Sequence, residues 1–317
     1  MSRAAPRFRF AATLTTAALL LVCLLWMVGQ VFRDRTLLTA WCFYIPSPAL
    51  IATLLAASVL LRKRRRYCAL LVAIAIGPLL SVLVVENRWT QPPTAAAVVS
   101  AASEDSGPPA FRVVHWNVMW GKRGWPEIAQ QLVALDADAY VLSEAAPDFD
   151  YSEFDGYDVA SAYTMVVITR GKSEEIQPRF NKLEIRTAWI DWWPPGHADD
   201  QPPLRLLMAD ISAMLNLHRD PVLRLLSAEM ARLRPDLVVG DLNSPRLSRG
   251  LAPPPAGYRH AYEEAGAGWS YTWPTPLPVL AIDHTLCGRR IATRDYRLET
   301  SWLSDHRRQV IDLIVVE

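Results

Sequence analysis

Cysteine is scarce in this chain. Four cysteines occur among 317 residues, and Cys287 is the only one after residue 110. No disulfide can therefore form within the C-terminal two thirds, and no cysteine pair there has the close spacing of a zinc site. We expect Cys287 to be a small buried apolar residue. The length suffices for one large domain and an appendage.

Charged side chains are absent from three apolar segments near the N-terminus, which are residues 11–32, 37–61 and 67–85. Each is close to or above the roughly 20 residues that cross a bilayer. Pro46 and Pro48 are expected to kink the second segment. A soluble helical bundle would need polar faces that these segments lack. A cleaved signal peptide is the alternative for the first, but no convincing small-x-small site follows it. We therefore predict a membrane region with about three transmembrane helices in residues 1–86.

Charge of each sign is unevenly distributed. Residues 1–110 carry a net charge of +7, and residues 111–317 carry −6. Basic residues precede the first apolar segment and fill Arg62–Arg66 between the second and third. Because basic segments stay in the cytoplasm, the N-terminus is predicted inside and the acidic part outside the cell membrane. An acidic surface also offers little electrostatic attraction to long nucleic acid.

The remaining sequence divides into a linker and a large domain. Residues 87–110 are rich in Pro, Ala and Ser and are predicted to form a flexible linker. Residues 111–317 contain many short apolar runs with strand character and two clear helical patterns, from about Pro126 and over 220–233. This pattern predicts two packed sheets flanked by helices.

One stretch organises the large domain. Leu237–Val239 is a short apolar run typical of a buried strand, and Gly240 is expected to let the backbone turn near a ligand. Asp241 and Asn243 then leave the strand end two residues apart, so both can face one cleft. A carboxylate and an amide there suit a water or an oxyanion beside a metal. An ordinary strand-to-loop turn is the alternative for this stretch taken alone.

Four further motifs accompany that stretch. They are Trp116-Asn117-Val118, the strand 139–143 with Glu144, Ile282-Asp283-His284, and Ser304-Asp305-His306. In this order and spacing, the chain resembles the endonuclease/exonuclease/phosphatase superfamily over residues 111–317. The resemblance implies an α/β (α+β) fold of four layers with the site at one end of the sandwich. It also implies a metal-dependent phosphoric ester hydrolase.

The resemblance implies a role for each motif residue. The implied catalytic residues are Asp241, Asn243, Asp283 and His306, and the implied metal ligands are Asn117, Glu144 and Asp305. Asp241 would orient or deprotonate water, while His306 would donate to a phosphoryl oxygen or transfer a proton. Asp283 would fix the tautomer of His306 and raise its pKa. Carboxylate ligands of this kind suit Mg²⁺ or Mn²⁺.

One position departs from the family pattern. Many members carry a histidine or tyrosine that contacts the phosphate at the end of the strand before the central helix, where this chain has Asp210. A carboxylate cannot donate a hydrogen bond unless it is protonated. Either Asp210 is an additional metal ligand, or His218, Arg219 or His284 fills the missing role. A capping or ion-paired Asp210 is the alternative.

These observations predict a membrane-anchored phosphoesterase whose partners are the lipid bilayer and a phosphate ester, a class that includes lipid-linked esters. The stretch around Trp192 and Trp193 could rest on the bilayer, since tryptophan favours the interface. An inactive sandwich that binds a ligand or partner at the membrane is the runner-up, and a nuclease is the less favoured enzyme. Convergence of the motif side chains on one pocket distinguishes an enzyme from the inactive module.

Overall fold

The computed structural model describes residues 4–92, 110–197 and 200–316. The chain forms two compact units, Met1–Asn87 and Arg88–Glu317. Most of the predicted linker lies outside the described residues. Its first part belongs to the second unit, because Arg88 forms a β-bridge with Gly268 and its amide donates to the Tyr262 hydroxyl at 2.9 Å.

The first unit consists of apolar helices, which are α1 (Ala4–Phe32), α2 (Leu37–Phe43), α3 (Ser47–Leu60) and α4 (Arg65–Leu80), the last continuing as a π-helix over Ser81–Glu86. Two stretches, Phe10–Phe32 and Arg65–Glu86, are long and apolar enough to cross a membrane. Helices α2 and α3 meet at a bend of 59° and make a third if they form one broken span. Pro46 caps α3 and Pro48 lies in its first turn, so the bend falls at the predicted prolines.

The second unit contains thirteen described strands, which are β1 (Ala110–Asn117), β2 (Ala139–Ser143), β3 (Asp158–Ala162), β4 (Met165–Thr169), β5 (Lys172–Ser173), β6 (Gln177–Asn181), β7 (Ile185–Trp193), β8 (Leu204–Ile211), β9 (Leu237–Asp241), β10 (Arg259–His260), β11 (Asp283–Cys287), β12 (Ile291–Glu299) and β13 (Arg308–Val315). Sheet I has the order β12-β13-β1-β2-β4-β3. Sheet II has the order β10-β11-β9-β8-β7-β5, with β6 also paired to β7. Both sheets are mixed, since β1 and β2 pair in parallel, as do β8 and β9.

Three α-helices among the described residues accompany these sheets, namely α5 (Trp125–Val133), α6 (Arg219–Leu233) and the short α7 (Ala261–Ala265), and Met119–Gly121 forms a 3-10 turn. Ile128 and Leu132 of α5 pack on one face of sheet I, and Leu226 of α6 packs on one face of sheet II. A separate core between the sheets contains Val113 and Val239. The predicted architecture of two sheets flanked by helices is therefore confirmed.

Alternation along the strands explains this packing. Successive side chains of a strand point to opposite faces, so odd-numbered Leu237 and Val239 enter the core between the sheets while Val238 packs towards α6. Cys287 is fully buried in the same core between the sheets, as expected for a small apolar residue.

Two expectations for sheet II are wrong. Trp192 does not face a surface, because it is fully buried, packs edge-on against Phe111 at 5.4 Å and donates its indole N–H to the Arg170 carbonyl. Gly240 does not form a turn, because it lies within β9. A side chain there would collide with the Ala209 carbonyl oxygen, 1.8 Å from the position of a Cβ atom, so the glycine allows β8 and β9 to approach.

Candidate active site

The faces that the two sheets turn towards each other change from apolar to polar at one end of the sandwich. In β1, Val113 is followed on that face by His115 and Asn117, and in β9, Val239 is followed by Asp241. Asp283 begins the antiparallel strand β11 directly opposite Asp241. The ends of β1, β9 and β11 thus deliver polar side chains to the same place.

Asp283, His306 and Asp241 form a buried cluster at this end. His306 Nδ1 lies 2.9 Å from Asp283 Oδ2, and His306 Nε2 lies 3.9 Å from Asp241 Oδ2. Candidate ligand atoms of all three residues lie within 4.8 Å of one another. The loop before β13 is held in place because the Trp116 indole donates to the His306 carbonyl at 3.0 Å and Ser304 Oγ donates to the Asn117 carbonyl at 2.6 Å.

Burial and mutual charge shift the pKa values of this cluster. Burial opposes ionisation of Asp283, but the charge and hydrogen bond of His306 outweigh it and hold the pKa of Asp283 below its usual value. Burial likewise opposes the cation of His306, and Asp283 overcomes this and raises the pKa of His306. Burial, followed by repulsion from Asp283, raises the pKa of Asp241. A carboxylate with a raised pKa is a better proton acceptor than an ordinary one.

Two amides complete the surroundings of Asp241. Asn117 Nδ2 donates to Asp241 Oδ2 at 3.0 Å, and the backbone N–H of Asn243 donates to Asp241 Oδ1 at 2.9 Å. Asn243 has a left-handed backbone with φ of 47° and directs Nδ2 to the Ile211 carbonyl at 2.8 Å. Asparagine tolerates this conformation better than most residues, which explains its presence in the turn. Both oxygens of Asp241 are therefore fixed in direction.

Glu144 and Asp305 lie nearer the surface than the buried cluster. Both are half-buried, and the Trp273 indole donates to Asp305 Oδ2 at 3.1 Å. Glu144 follows β2 with a strained φ of 49°, and its carbonyl accepts the Trp120 N–H at 2.7 Å. Its carboxylate makes no hydrogen bond or ion pair with the residues that the structure describes.

The two carboxylates are of a kind that suits a divalent cation, although the candidate ligands that the described residues bring within 4.8 Å of one another are those of the inner cluster. Glu144 and Asp305 supply hard carboxylate oxygens with access to water, which Mg²⁺ requires because it keeps part of its hydration shell. In the inner cluster, the charge of Asp283 is already balanced by His306. A cation at the inner position would have to displace that proton. Asn117 Oδ1 already accepts the Met119 N–H at 3.0 Å, so the role of Asn117, Glu144 and Asp305 as metal ligands stays a prediction.

Asp210 stands where many family members have a phosphate-contacting residue, and Arg219 is one candidate to replace that contact. Thr164 Oγ1 donates to Asp210 Oδ2, and Arg186 Nη1 lies 3.7 Å from the same oxygen. Burial raises the pKa of Asp210 despite these two contacts. Arg219 donates to the Ser212 and Met214 carbonyls.

The two histidine candidates differ in position. His284 contacts the Ser244 carbonyl at 2.8 Å and packs against His260, and burial lowers the pKa of His284 to about 3. His218 is the half-buried residue that precedes α6. The described contacts thus attach Arg219 and His284 to loop carbonyls and not to the buried cluster.

Sequence reasoning missed two residues of this region. His115 is fully buried, with Nδ1 at 3.8 Å from Asp283 Oδ1 and Nε2 at 3.2 Å from Ser143 Oγ. Its Nδ1 and the Asp283 Oδ1 have no hydrogen-bond partner among the described residues, so Asp283 lies between two imidazoles. Arg186 is the second, beside Asp210. Side chains alternate between the two faces of a strand, and His115 and Arg186 fall on the face that points between the sheets. Their odd or even position relative to the apolar core residues of the same strands could have identified them.

Comparisons with known proteins agree with this fold. The family described as Endonuclease/Exonuclease/phosphatase matches residues 61–306. Among solved structures, a family protein from Bacteroides thetaiotaomicron superposes with a TM-score of 0.53 at 14% identity, covering 67% of this chain and 100% of that chain. A humanized TDP2 from D. rerio has a TM-score of 0.51 at 17% identity, covering 64% and 98%. No curated protein sequence matches significantly.

The fold is therefore of the four-layer α/β class, whose family members are phosphoester hydrolases. The chain belongs to the endonuclease/exonuclease/phosphatase family. Enzymes of this family generally depend on a divalent metal, and a buried group of acids and a histidine is present here.

Proposed function

We propose that this protein is a membrane-anchored, divalent-metal-dependent phosphoesterase with its catalytic domain outside the cytoplasm. The observation that carries the proposal is the buried Asp283–His306 pair facing Asp241, whose two oxygens are held by Asn117 and Asn243. This arrangement provides a proton acceptor and a proton donor side by side in a site sheltered from water.

Each group of the cluster has a distinct task. Asp241, with its raised pKa, orients the attacking water and accepts a proton from it. His306, charged and aligned by Asp283, donates to a phosphoryl oxygen and stabilises the charge that develops there. Asn243 helps to hold the water or the phosphoryl oxygen. When bound by Asn117, Glu144 and Asp305, Mg²⁺ or Mn²⁺ would supply further positive charge next to the phosphate.

A lipid-linked phosphate ester or pyrophosphate is the proposed substrate class. The same chain carries two or three helices apolar enough to cross a membrane, so the domain is confined near lipid headgroups at a high effective concentration. Residues 111–317 carry a net charge of −6, which opposes the phosphate-backbone contacts that a nuclease uses. The basic segment Arg62–Arg66 supports the orientation with the domain outside.

Asp210 favours the second candidate, an inactive family fold that binds a ligand at the membrane. It stands where many family members have a residue that contacts the phosphate. Its carboxylate instead accepts a hydrogen bond from Thr164 and lies beside the Arg186 guanidinium. The complete cluster of Asp241, Asp283 and His306 favours the enzyme.

The test is a hydrolysis screen of the purified full chain with Mg²⁺ or Mn²⁺. Phospholipids, lipid-linked pyrophosphates and plasmid DNA would be compared, and His306→Ala would serve as the inactive control. We expect a lipid product that requires both the metal and His306. Cleavage of DNA without a lipid product would refute the substrate class. Binding of a lipid phosphate without turnover would support the inactive module.

A further inference from the structure

The most exposed apolar side chains among the described residues of the second unit lie on loops at the end that holds the site. Among its described residues, four large apolar side chains are more than about 60% exposed, and they are Leu183 (65%), Leu215 (79%), Leu277 (79%) and Trp302 (72%). We call these four residues the apolar rim. Val133 at 38% and Val159 at 42% lie at the opposite end and are less exposed.

Hydrogen bonds place two of these residues beside the cluster. Thr275, near Leu277, donates from its N–H to the Asp305 carbonyl at 2.7 Å and from Oγ1 to the Ser304 carbonyl at 2.6 Å. Trp302 lies two residues before Ser304. The loops that carry Leu277 and Trp302 are therefore joined to each other directly beside His306.

The other two rim residues lie on the sheet II side of the same end. Ile185 pairs with Ile211 at the start of β7, next to Asp210. The Ser212 N–H donates to the Glu184 carbonyl at 3.0 Å, which joins the loop of Leu183 to the loop of Leu215. The rim thus comes from four loops that surround the site end of the sandwich.

Basic and aromatic residues accompany the rim. Trp120 is 42% exposed and is followed by the exposed Lys122 and Arg123, and the Arg123 guanidinium donates to the Trp302 carbonyl at 2.8 Å. Tryptophan with adjacent basic side chains is the combination that favours an anionic membrane surface, because the indole enters the interface and the cations meet the phosphates.

We propose that the apolar rim rests on a phospholipid bilayer, so that the site opens towards lipid headgroups. The occupant follows from the chain itself, since Arg88, the first residue of this unit, comes two positions after the apolar helical stretch Arg65–Glu86. The inference deepens the proposed function by assigning the surface through which a lipid substrate enters. It also replaces Trp192, which lies near the opposite end of β7, as the membrane contact.

The test measures the depth of single labels on the full chain in a bilayer. Cys42 and Cys68 are half-buried and would be replaced by Ala, whereas Cys23 and Cys287 are buried. A fluorophore would then be placed at Trp302→Cys or Leu215→Cys, in vesicles of phosphatidylcholine and phosphatidylglycerol that carry nitroxide on the acyl chains. Val133→Cys is the matched control, because it is an exposed apolar position at the other end of the sandwich.

We expect the labels at 302 and 215 to lose most of their emission and the label at 133 to lose little. The eight residues of β1 span about 25 Å, which exceeds the contact range of the quencher. Equal quenching at all three positions, or none at 302 and 215, would overturn the proposal and leave the rim to a protein partner or a second copy. The assay needs neither metal nor substrate, so its outcome is independent of whether hydrolysis is found.

Discussion

Replacing Asp283 by Asn should abolish most activity while leaving the fold intact. Asp283 is 3% exposed and His306 is 6% exposed, and their 2.9 Å contact is the shortest within the cluster. The amide keeps the shape of the side chain and can still accept from His306 Nδ1. It removes the charge that holds His306 in its cationic form.

The expected loss of stability depends on the charges around Asp283. Removing one partner of a buried ion pair costs about 3–5 kcal/mol. Here the loss is offset because Asp283 also repels Asp241 and because His306 can become neutral. We therefore expect a loss of unfolding free energy of about 1–2 kcal/mol, within the usual range for single substitutions. Turnover should fall by about 10²–10⁴-fold, as when a histidine loses its orienting carboxylate.

The pH dependence gives a second readout. Removing the charge of Asp283 lowers the pKa of Asp241, since repulsion had raised it, and lowers the pKa of His306, since attraction had raised it. Both limbs of the pH–rate profile should therefore move to lower pH, by about 1 unit for each 1.4 kcal/mol of lost interaction.

The assay is hydrolysis of a chromogenic phosphodiester by the full chain, with thermal unfolding measured on the same sample. Asp312→Asn is the control, because Asp312 is a carboxylate of β13 that pairs with Arg112 of the neighbouring strand β1 in sheet I, at 24% exposure and away from the cluster. That change should cost at most about 1 kcal/mol and leave turnover unchanged. Unchanged turnover in Asp283→Asn would refute the proposed role of the pair. So would a loss of activity that merely follows a loss of folded protein.

Three further predictions test other parts of the structure. Glu144→Gln should weaken Mn²⁺ binding in calorimetry, because a neutral amide attracts a cation less than a carboxylate does, whereas Cys287→Ser should leave binding and activity unchanged. Gly240→Ala should lower the free energy of unfolding of the second unit by about 1–3 kcal/mol in denaturant unfolding, because the added methyl meets the Ala209 backbone. An unchanged free energy of unfolding would contradict the close packing of β8 and β9. A reporter active only outside the cytoplasm should be active when fused after residue 317 and silent after Arg66, and the reverse would place the domain inside.

The sequence predicted the elements that depend on regular patterns. The apolar runs of β8 and β9 and the helical spacing in α6 are local signals, so their places in the chain could be predicted. Four of the five motifs contain the residues Asn117, Asp241, Asp283 and His306, which contact one another in the structure. The orientation of Trp192 could not be predicted, because an aromatic residue beside prolines is equally typical of a core strand and of an interfacial loop. Its burial depends on Phe111 of the other sheet, which is a non-local contact.

The unpredicted residues His115 and Arg186 show what a parity argument can add. Asn117 and Asp241 were expected at the site, so every second residue of their strands had to share that face. Two positions before Asn117 this gives His115, at 3.8 Å from Asp283. In β7, Arg186 pairs with Asp210 in register and lies on the same face. An inward-facing polar residue at a strand end is costly unless it is paired. His115 and Arg186 are therefore the residues to substitute next, after those named by the family motifs.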